Sequence, residues 1–551
     1  MQIKIINNKK IIETNIEEKS TTPLKIFYRH KLTSEYTLAA AKIDDVTASL
    51  NQKITKDCTV RFLDISSRDG MLIYKNSLSF VLIRAANELF QDTKTEIKYA
   101  LADGYYIEIY SRFLLTKSDT EKLKRKMQTL IAEDEKFEPI MMDKSEIKKI
   151  FKDYPSKLEL LKIYPEDKIL IYKYGPCYNF FIEPLVASAG ALKLFDLKYL
   201  PPGIILRFPQ IDKPNAMGKF QKQPNLFKIF TEYTRWGNIL DLSYVSSLNK
   251  KMDEFNINEI ILTSEKLHEN KIYHIARNIY LRNNGIRIIL ISGPSSSGKT
   301  TFSKRLAIQL KVQGISSMKL SLDNYFLDRT DTPKDEDGDY DFESIDALDK
   351  HLINKQIKQL LDGEEIEIPR FNFINGKRKQ DGQIAKLPPD HVLIIEGIHG
   401  LNDALTSLIP NSAKFKIYVS ALTQLNLDLH NRISTSDTRI LRRIVRDSFF
   451  RGYSAEDTLN RWDSINRGEM KYVFSFQEES DIMFNSALVY ELGVLKKYAI
   501  PELQKVPSKS SQYSAAQRLI KLLRFFYNIP ENAIPGTSII REFISGSIFE
   551  Y

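Results

Sequence analysis

The chain opens on short runs in which apolar and polar positions alternate. IKII near the N-terminus and TVRFLDI at 59–65 read as strands, because a period of two places every second side chain on one face of a sheet. TSEYTLAAAKI, at 33–43, lies between them and predicts one helix. Residues 1–62 are therefore expected to form a small α+β module. Helical periods follow at 77–90 (SLSFVLIRAANELF) and in the charged stretch 118–135, with strand-like YYIEIY and KILIYKY between and after them. Pro201-Pro202-Gly203 punctuates the end of a second module, 63–210. Residues 211–284 begin polar and Pro/Asn-rich, become helical through 267–281, and read as a connector.

From 285 the pattern changes. Strand-like runs at 286–292, 318–322, 392–396, 415–420 and 481–484 are mostly separated by helical segments. That alternation predicts an α/β unit over 285–500, a parallel sheet with helices on both faces, preceded by the α+β modules. Residues 501–551 remain as a C-terminal helical extension.

Composition narrows the setting. The chain has 551 residues, more than one core accommodates, with 42% hydrophobic and 27% charged residues, an ordinary globular balance. The formal net charge of +10 suits an anionic ligand or weak RNA contact, and equally a solvated Lys-rich surface. Two cysteines, Cys58 and Cys177, supply neither a disulfide framework nor a Cys-based metal site. No apolar run reaches the roughly 18 residues of a membrane span. The first residues, MQIKIINNKK, lack the apolar core of a signal peptide. A cytoplasmic, reducing setting is expected.

The chemistry begins at Gly293-Pro294-Ser295-Ser296-Ser297-Gly298-Lys299-Thr300, followed by Thr301, which satisfies G-x-x-x-x-G-K-[ST]. The apolar run IRIILIS leads in and the helical TFSKRLAIQL leads out, the strand–loop–helix order that the motif requires. Its backbone N–H groups and the helix N-terminus would face a phosphate. Lys299 would bridge the β- and γ-phosphates and the Thr300 hydroxyl would ligate Mg²⁺.

Two carboxylates end strands. Asp323 follows the second, in SLDNYF, where it could accept the proton of an attacking hydroxyl, hold Mg²⁺ through water, or simply cap a helix. Glu396 ends VLIIEG, the position from which an acid reaches Mg²⁺ or its waters. Arg439, Arg442, Arg443 and Arg446, in SDTRILRRIVRD, share one helical face, with Arg451 beyond. They suit either a lid that closes on phosphate or a solvated basic face.

GPSSSGKTT, SLDNYF, FESIDALD, PRFNF, VLIIEGI and DTRILRRIVRD occur in the order seen in the uridine kinase and phosphoribulokinase family, which residues 284–500 resemble. The resemblance implies ATP and Mg²⁺, with transfer of the γ-phosphate to the 5′-hydroxyl of a nucleoside. It implies Asp323 as catalytic aspartate and Lys299, Arg442 and Arg446 as catalytic cations. It makes Thr300 and Glu396 the metal-side residues, and Glu343, Phe371, Phe373 and Arg439 acceptor-side residues. The family's Tyr-Asp-Phe segment is Phe371-Asn372-Phe373 here, and a pyrimidine-selecting histidine falls at about Gly376.

Residues 1–62 also resemble a TGS domain. YKNSLSFVLIRAANELF, ALADGYYIEIY and YGPC…GALKL make 63–210 similar to the editing domain of threonyl-tRNA synthetase. That family's metal-binding positions fall on Asn76, Phe80, Lys173 and Cys177, a set that does not make a zinc site. The expected function is an ATP-dependent nucleoside kinase, most simply uridine kinase-like. The alternatives are the same chemistry on another nucleoside or sugar, and an RNA- or tRNA-binding protein with an ATP-sensing domain. The expected partners are a nucleoside substrate and weak RNA contact through the N-terminal modules, with no membrane; homo-oligomerisation stays open. Every candidate catalytic residue lies beyond 284, so the N-terminal half is expected to be dispensable for chemistry.

Overall fold

The five apolar runs of the C-terminal half become one parallel sheet. Its strands stand in the order Ser316–Ser321, His391–Glu396, Ile288–Ser292, Lys414–Ser420, Ile482–Asn485. The structure is a computed structural model and describes residues 1–551 except 8, 9, 255, 283, 284, 336, 337, 339, 373, 374, 380 and 424. Every residue of Ile288–Ser292 is buried, as a central strand covered on both faces must be. Successive side chains divide between two cores: Ile289 and Ile291 join one, Ile288 and Leu290 the other.

The helices that fill those cores come from further afield than the sequence pattern suggests. Ile272, Ile275 and Ile279 of helix Ile257–Leu281 share the first core with Phe302, Leu306 and Leu310 of helix Lys299–Val312. Leu226, Ile229 and Phe230 of helix Pro224–Ile239 enter the second, beside Ile353 and Ile357 of Lys350–Leu361. Residues 211–284, read as a connector, thus supply a covering helix to each face of the sheet. The C-terminal extension is equally integral: Ile539, Ile540, Phe543 and Ile544 are inaccessible to solvent in the first core.

In the first 64 residues a five-stranded sheet has Gln2–Asn7 parallel to Cys58–Asp64 at its centre. The helix expected at 33–43 is not there. Leu38–Ile43 is a strand, pairing antiparallel with Cys58–Asp64 through Ala41 and Phe62. The Leu-Ala-Ala-Ala run has high helix propensity, and burial of Ala39, Ala40 and Ala41 in the pleat overrides it. The module's helix is Pro23–Arg29, set by Thr22, whose hydroxyl accepts from the Lys25 N–H, and by proline at the first helical position.

The second module carries helix Arg68–Leu89, which starts well before 77 because Ser67 caps it. Its Phe80 is fully buried, with ring centroids 6.0 Å from Phe137, 5.7 Å from Tyr174 and 5.6 Å from Phe181. An aromatic cluster fills this member of the metal-site set. Among the described residues no helix is long and apolar enough to cross a membrane.

Candidate active site

Strand register builds the site. Ile291 pairs with Glu396 and Glu396 with Ser321, so three strands end at one edge of the sheet. The loops leaving that edge carry residues 293–298, Asp323 and Glu396. Ligands of open α/β sheets gather at this edge, outside the carboxyl ends of the strands.

The loop 293–298 is held from outside by its carbonyls. The Ser295 carbonyl accepts from Arg439 Nε at 2.9 Å, that of Ser296 from Arg442 Nη1 at 3.4 Å, and that of Ser297 from Ser486 Oγ at 2.5 Å. With the carbonyls tied back, the Ser295 N–H is taken by Glu469 Oε1 at 2.7 Å and that of Ser297 by the Pro294 carbonyl at 3.3 Å, so the amides left for an anion are the remaining ones of the loop and helix start. A Cβ on Gly293 would stand 1.8 Å from the Val419 carbonyl oxygen, so only glycine lets the loop leave the sheet this closely. Ser296 adopts φ 57°, a strained conformation for a residue with a side chain, of the kind that clusters at ligand sites. The hydroxyls of Ser296 and Ser297 are buried with no hydrogen-bond partner among the described residues.

Lys299 folds back over the loop, Nζ donating to the Pro294 carbonyl at 3.1 Å. The Thr300 hydroxyl donates to Glu396 Oε1 at 3.3 Å, and Ser321 Oγ to the same oxygen at 3.1 Å. Burial and the neighbouring Asp323 charge push the Glu396 carboxyl up to about 7, against the opposing pull of Lys299. Thr300, Glu396 and Asp323 are hard oxygen donors in small number, the set that suits Mg²⁺ held jointly with nucleotide phosphates. The unpaired loop hydroxyls and available amides suit the phosphates themselves.

Asp323 is the second residue of the turn Leu322–Tyr325, whose N-cap is Ser321. Among the described residues Asp323 makes no capping bond, so its position at the strand end is not explained by helix capping. Phe326 packs against Phe371 at 5.6 Å between centroids. Arg378 locks this region, donating to the carbonyls of Phe326 and Tyr325 at 2.9 and 3.1 Å. The Arg329 guanidinium lies against Gly376, where a Cβ would approach it to 2.7 Å. Phe373 lies outside the described residues.

Helix Thr435–Phe450 presents its arginines to the loop, but not as one equivalent set. Arg442 is fully buried; it pairs with Glu491, with Nε to Oε2 at 3.1 Å, and donates to the Ser486 carbonyl at 2.8 Å. The expectation that Arg442 faces a transferring phosphate is corrected: its donors are spent on Glu491, Ser486 and the back of the loop. Arg439 is likewise buried and paired with Glu469. Arg443 reaches a loop side chain, with Nη1 2.9 Å from Ser295 Oγ, and Arg446 shares Asp447 with it. Asp447 anchors Arg443 at 3.2 Å, Arg446 at 3.0 Å and Arg451 at 3.7 Å.

Several residues went unnoticed in the sequence, and two of them, Glu469 and His399, lie beside Glu343, which did not go unnoticed. Glu469 accepts from the Ser295 N–H at 2.7 Å and pairs with Arg439. Glu343 packs against Gly468 beside it, and burial, with the Glu469 charge, pushes its carboxyl up to about 8 against Arg443 and Lys299. Glu343 Oε2 and Glu469 Oε2 are buried with no hydrogen-bond partner among the described residues. His399, three residues past Glu396, is buried, and desolvation takes its imidazole down to about 4. Neither ring nitrogen reaches a partner with hydrogen-bond geometry, although the backbone of Ser344 and Glu343 lies alongside. Asp447 and Glu542 are also new, and only three-dimensional proximity reveals them.

Both halves of the chain are similar to known proteins. Residues 288–491 match the phosphoribulokinase/uridine kinase family. A uridine kinase from Ligilactobacillus salivarius is 35% identical over 184 residues, 33% of this chain and 76% of that protein. A threonine–tRNA ligase from Clostridium kluyveri is 33% identical over 160 residues, 28% of this chain, in its N-terminal region. The chain spans only about a quarter of that ligase's length (25%). A solved structure described as a possible uridine kinase from Bacillus stearothermophilus has a TM-score of 0.25 at 16% identity, covering 39% of this chain and 98% of that one. With its catalytic-type motifs on one sheet edge and three quarters of a 35% identical uridine kinase matched, the chain belongs to the phosphoribulokinase/uridine kinase family.

Proposed function

We propose that the protein is an ATP- and Mg²⁺-dependent kinase that phosphorylates the 5′-hydroxyl of a nucleoside. The observation that carries this reading is the convergence of Lys299, Thr300, Glu396 and Asp323 at the carboxyl ends of three adjacent parallel strands. The loop amides and Lys299 would bind the β- and γ-phosphates. Thr300 and Glu396 would hold Mg²⁺, which when bound neutralises charge on the phosphate oxygens. Asp323 would take the proton of the acceptor hydroxyl as its oxygen bonds to the γ-phosphorus and the bond to ADP breaks. Arg443 and Arg446 would stabilise charge on the transferring group, while Arg439 and Arg442 keep the loop in shape.

On the acceptor side, Glu343 Oε2 and the His399 ring nitrogens are buried with no hydrogen-bond partner of good geometry among the described residues, which suits sugar hydroxyls. Phe371, beside Phe326, offers an apolar surface for a base. The test is a substrate panel: purified full-length protein, ATP–Mg²⁺ and each common nucleoside, with sugars as controls, read as monophosphate formed. Formation of a nucleoside 5′-monophosphate is expected. Phosphorylation of a free sugar alone would replace the nucleoside reading within the same chemistry.

A further inference from the structure

The phosphate-binding helix already holds an anion. The Thr301 N–H, in the first turn of helix Lys299–Val312, donates to Glu542 Oε2 at 3.2 Å, and the Thr301 hydroxyl lies 2.5 Å from the same oxygen. Glu542 comes from the far end of the chain, in the short helix Arg541–Ile544. Around it, Tyr551 OH lies 2.8 Å from Thr301 Oγ1, Lys304 Nζ stands 4.4 Å from the Tyr551 ring centroid, and Ile539 lies so close to Gly298 that a Cβ there would meet it at 2.5 Å.

A first-turn amide of this helix is where a nucleotide phosphate binds, through its N–H and the helix dipole. Thr301 follows Lys299 and Thr300 in that first turn. A carboxylate there satisfies the same donors with the same sign of charge, and the two anions cannot share one N–H.

The segment has a fixed part and a loose part. Ile539, Ile540, Phe543 and Ile544 are shut in the core, and Arg541 Nη2 donates to the carbonyls of Glu531 and Ile534 at 2.8 and 2.9 Å. Beyond them Ile548 and Tyr551 are 69% and 60% exposed. The backbone that carries Glu542 is therefore anchored in the core, whereas residues 545–551 lie on the surface and are held by fewer bonds: the Ile548 N–H to the Gly536 carbonyl at 3.0 Å, Ser547 Oγ to the same carbonyl at 3.4 Å, and Tyr551 OH at Thr301.

We propose that Glu542 is a resident occupant of the phosphate subsite at Thr301, held there under a flap formed by residues 545–551, and that it sets the affinity for nucleotide. Nucleotide binding displaces the carboxylate, and apparent affinity falls by the fraction of molecules in which the subsite is open. The inference rests on the loop 293–300 being a nucleotide site and is independent of the acceptor.

The experiment is equilibrium binding of ATP, ADP and adenosine to the full-length protein and to E542A and E542Q. ATP and ADP should bind E542A about three- to thirtyfold tighter, the range over which a helix N-terminus holds a side-chain anion. E542Q, which keeps the shape without the charge, should gain less. Adenosine, with no phosphate, should be unaffected. Hydrogen exchange in 545–551 should rise when ATP binds the wild type. Unchanged or weaker ATP binding in both variants, or equal tightening for adenosine, would overturn the proposal. Absence of ATP binding by the wild type and both variants would instead sink the nucleotide reading itself, and the inference with it.

Discussion

Lys157 of the N-terminal half and Asp428 of the C-terminal half form an ion pair at 2.9 Å with both side chains closed to solvent. Asn179 shares the Lys157 ammonium at 2.8 Å, and the backbone N–H groups of His430 and Asn431 donate to Asp428 at 2.7 and 3.1 Å. Asp428 lies in the loop that leads into the arginine helix. Nearby, Asn426 Nδ2 donates to the carbonyls of Ile97 and Lys98, and the Ile97 N–H to the Leu429 carbonyl at 2.9 Å. At the helix start, Asp437 is held by Arg68 of the N-terminal half at 3.2 Å and by Arg518 of the C-terminal extension at 2.6 Å. The N-terminal half thus buttresses the helix that backs the phosphate loop.

Removing one member of the buried pair leaves the other charge without compensation. Lys157→Met should cost about 3–5 kcal/mol of stability, measured by denaturant unfolding. Lys157→Met combined with Asp428→Leu should recover part of the loss. A fragment beginning at 284 would carry Asp428 unpaired and lose the covering helices Pro224–Ile239 and Ile257–Leu281. It is expected to be unstable, so dispensability of the N-terminal half for chemistry has to be tested by substitutions at the interface.

The arginine helix separates support from chemistry. Arg442→Ala leaves Glu491 buried and alone and should cost about 3–5 kcal/mol. Arg443→Ala should cost less than Arg442→Ala, because Asp447 keeps Arg446 and Arg451 as partners when Arg443 is removed. Its kcat should fall by about tenfold or more, because a preorganised positive charge is lost. Thermal unfolding and steady-state kinetics on the two variants separate these effects.

How much of this was legible in the sequence follows from how local each feature is. The strand runs, the loop 293–300 and the strand-end acids were readable because each is a contiguous pattern with a geometric consequence. The run 38–43 was misread because its propensity is local and the pairing that decides it, with 58–64, is not. The four arginines share a helical face as spacing required, yet which of them are spent on Glu469 and Glu491 depends on partners 30 and 49 residues away. Glu542 on Thr301 spans 241 residues, and no local pattern announces it.

Glu343 gives stability a pH dependence. Its carboxyl rises from 4.5 to about 8 in the folded protein, chiefly through burial and then through Glu469. The folded state binds the proton more tightly, so between about pH 4.5 and 8 the native protein carries more protons than the unfolded chain. Stability attributable to this group is present at low pH and is lost as pH rises through that window. Glu343→Gln, which cannot ionise, should remove this contribution and be relatively more stable near pH 8 by at least about 1 kcal/mol. Urea unfolding of both proteins at pH 5.5 and 8 checks the sign; an equal difference at the two values would exclude it.

Lys299→Ala tests the phosphate loop. Among the described residues its ammonium donates a hydrogen bond only to the Pro294 carbonyl, with the Glu396 and Glu343 carboxyls nearby. Its removal should lower kcat at least about a hundredfold with little change in folding. Turnover near the wild-type value would remove the loop from the mechanism.

Asp323 carries the sharpest distinction. Three roles suit a carboxylate after a strand: helix cap, outer ligand of Mg²⁺ and general base. The cap is disfavoured by geometry, since Ser321 holds that position and Asp323 makes no capping bond among the described residues. Asp323 neighbours Glu396 closely enough to raise its protonation range, so a shared metal and a shared substrate both remain chemically sensible. Asp323→Asn keeps size and hydrogen-bond reach and removes basicity. As general base, its loss should lower kcat by about 10²–10⁴-fold while ATP binding is retained. As a metal ligand, the loss should be restored in part by raising the Mg²⁺ concentration, and the base role should show no such rescue. Steady-state kinetics of the variant across a Mg²⁺ series, with ATP binding measured separately, decide between them. Nearly full activity at ordinary Mg²⁺ would exclude both, and the acceptor proton would then leave to solvent.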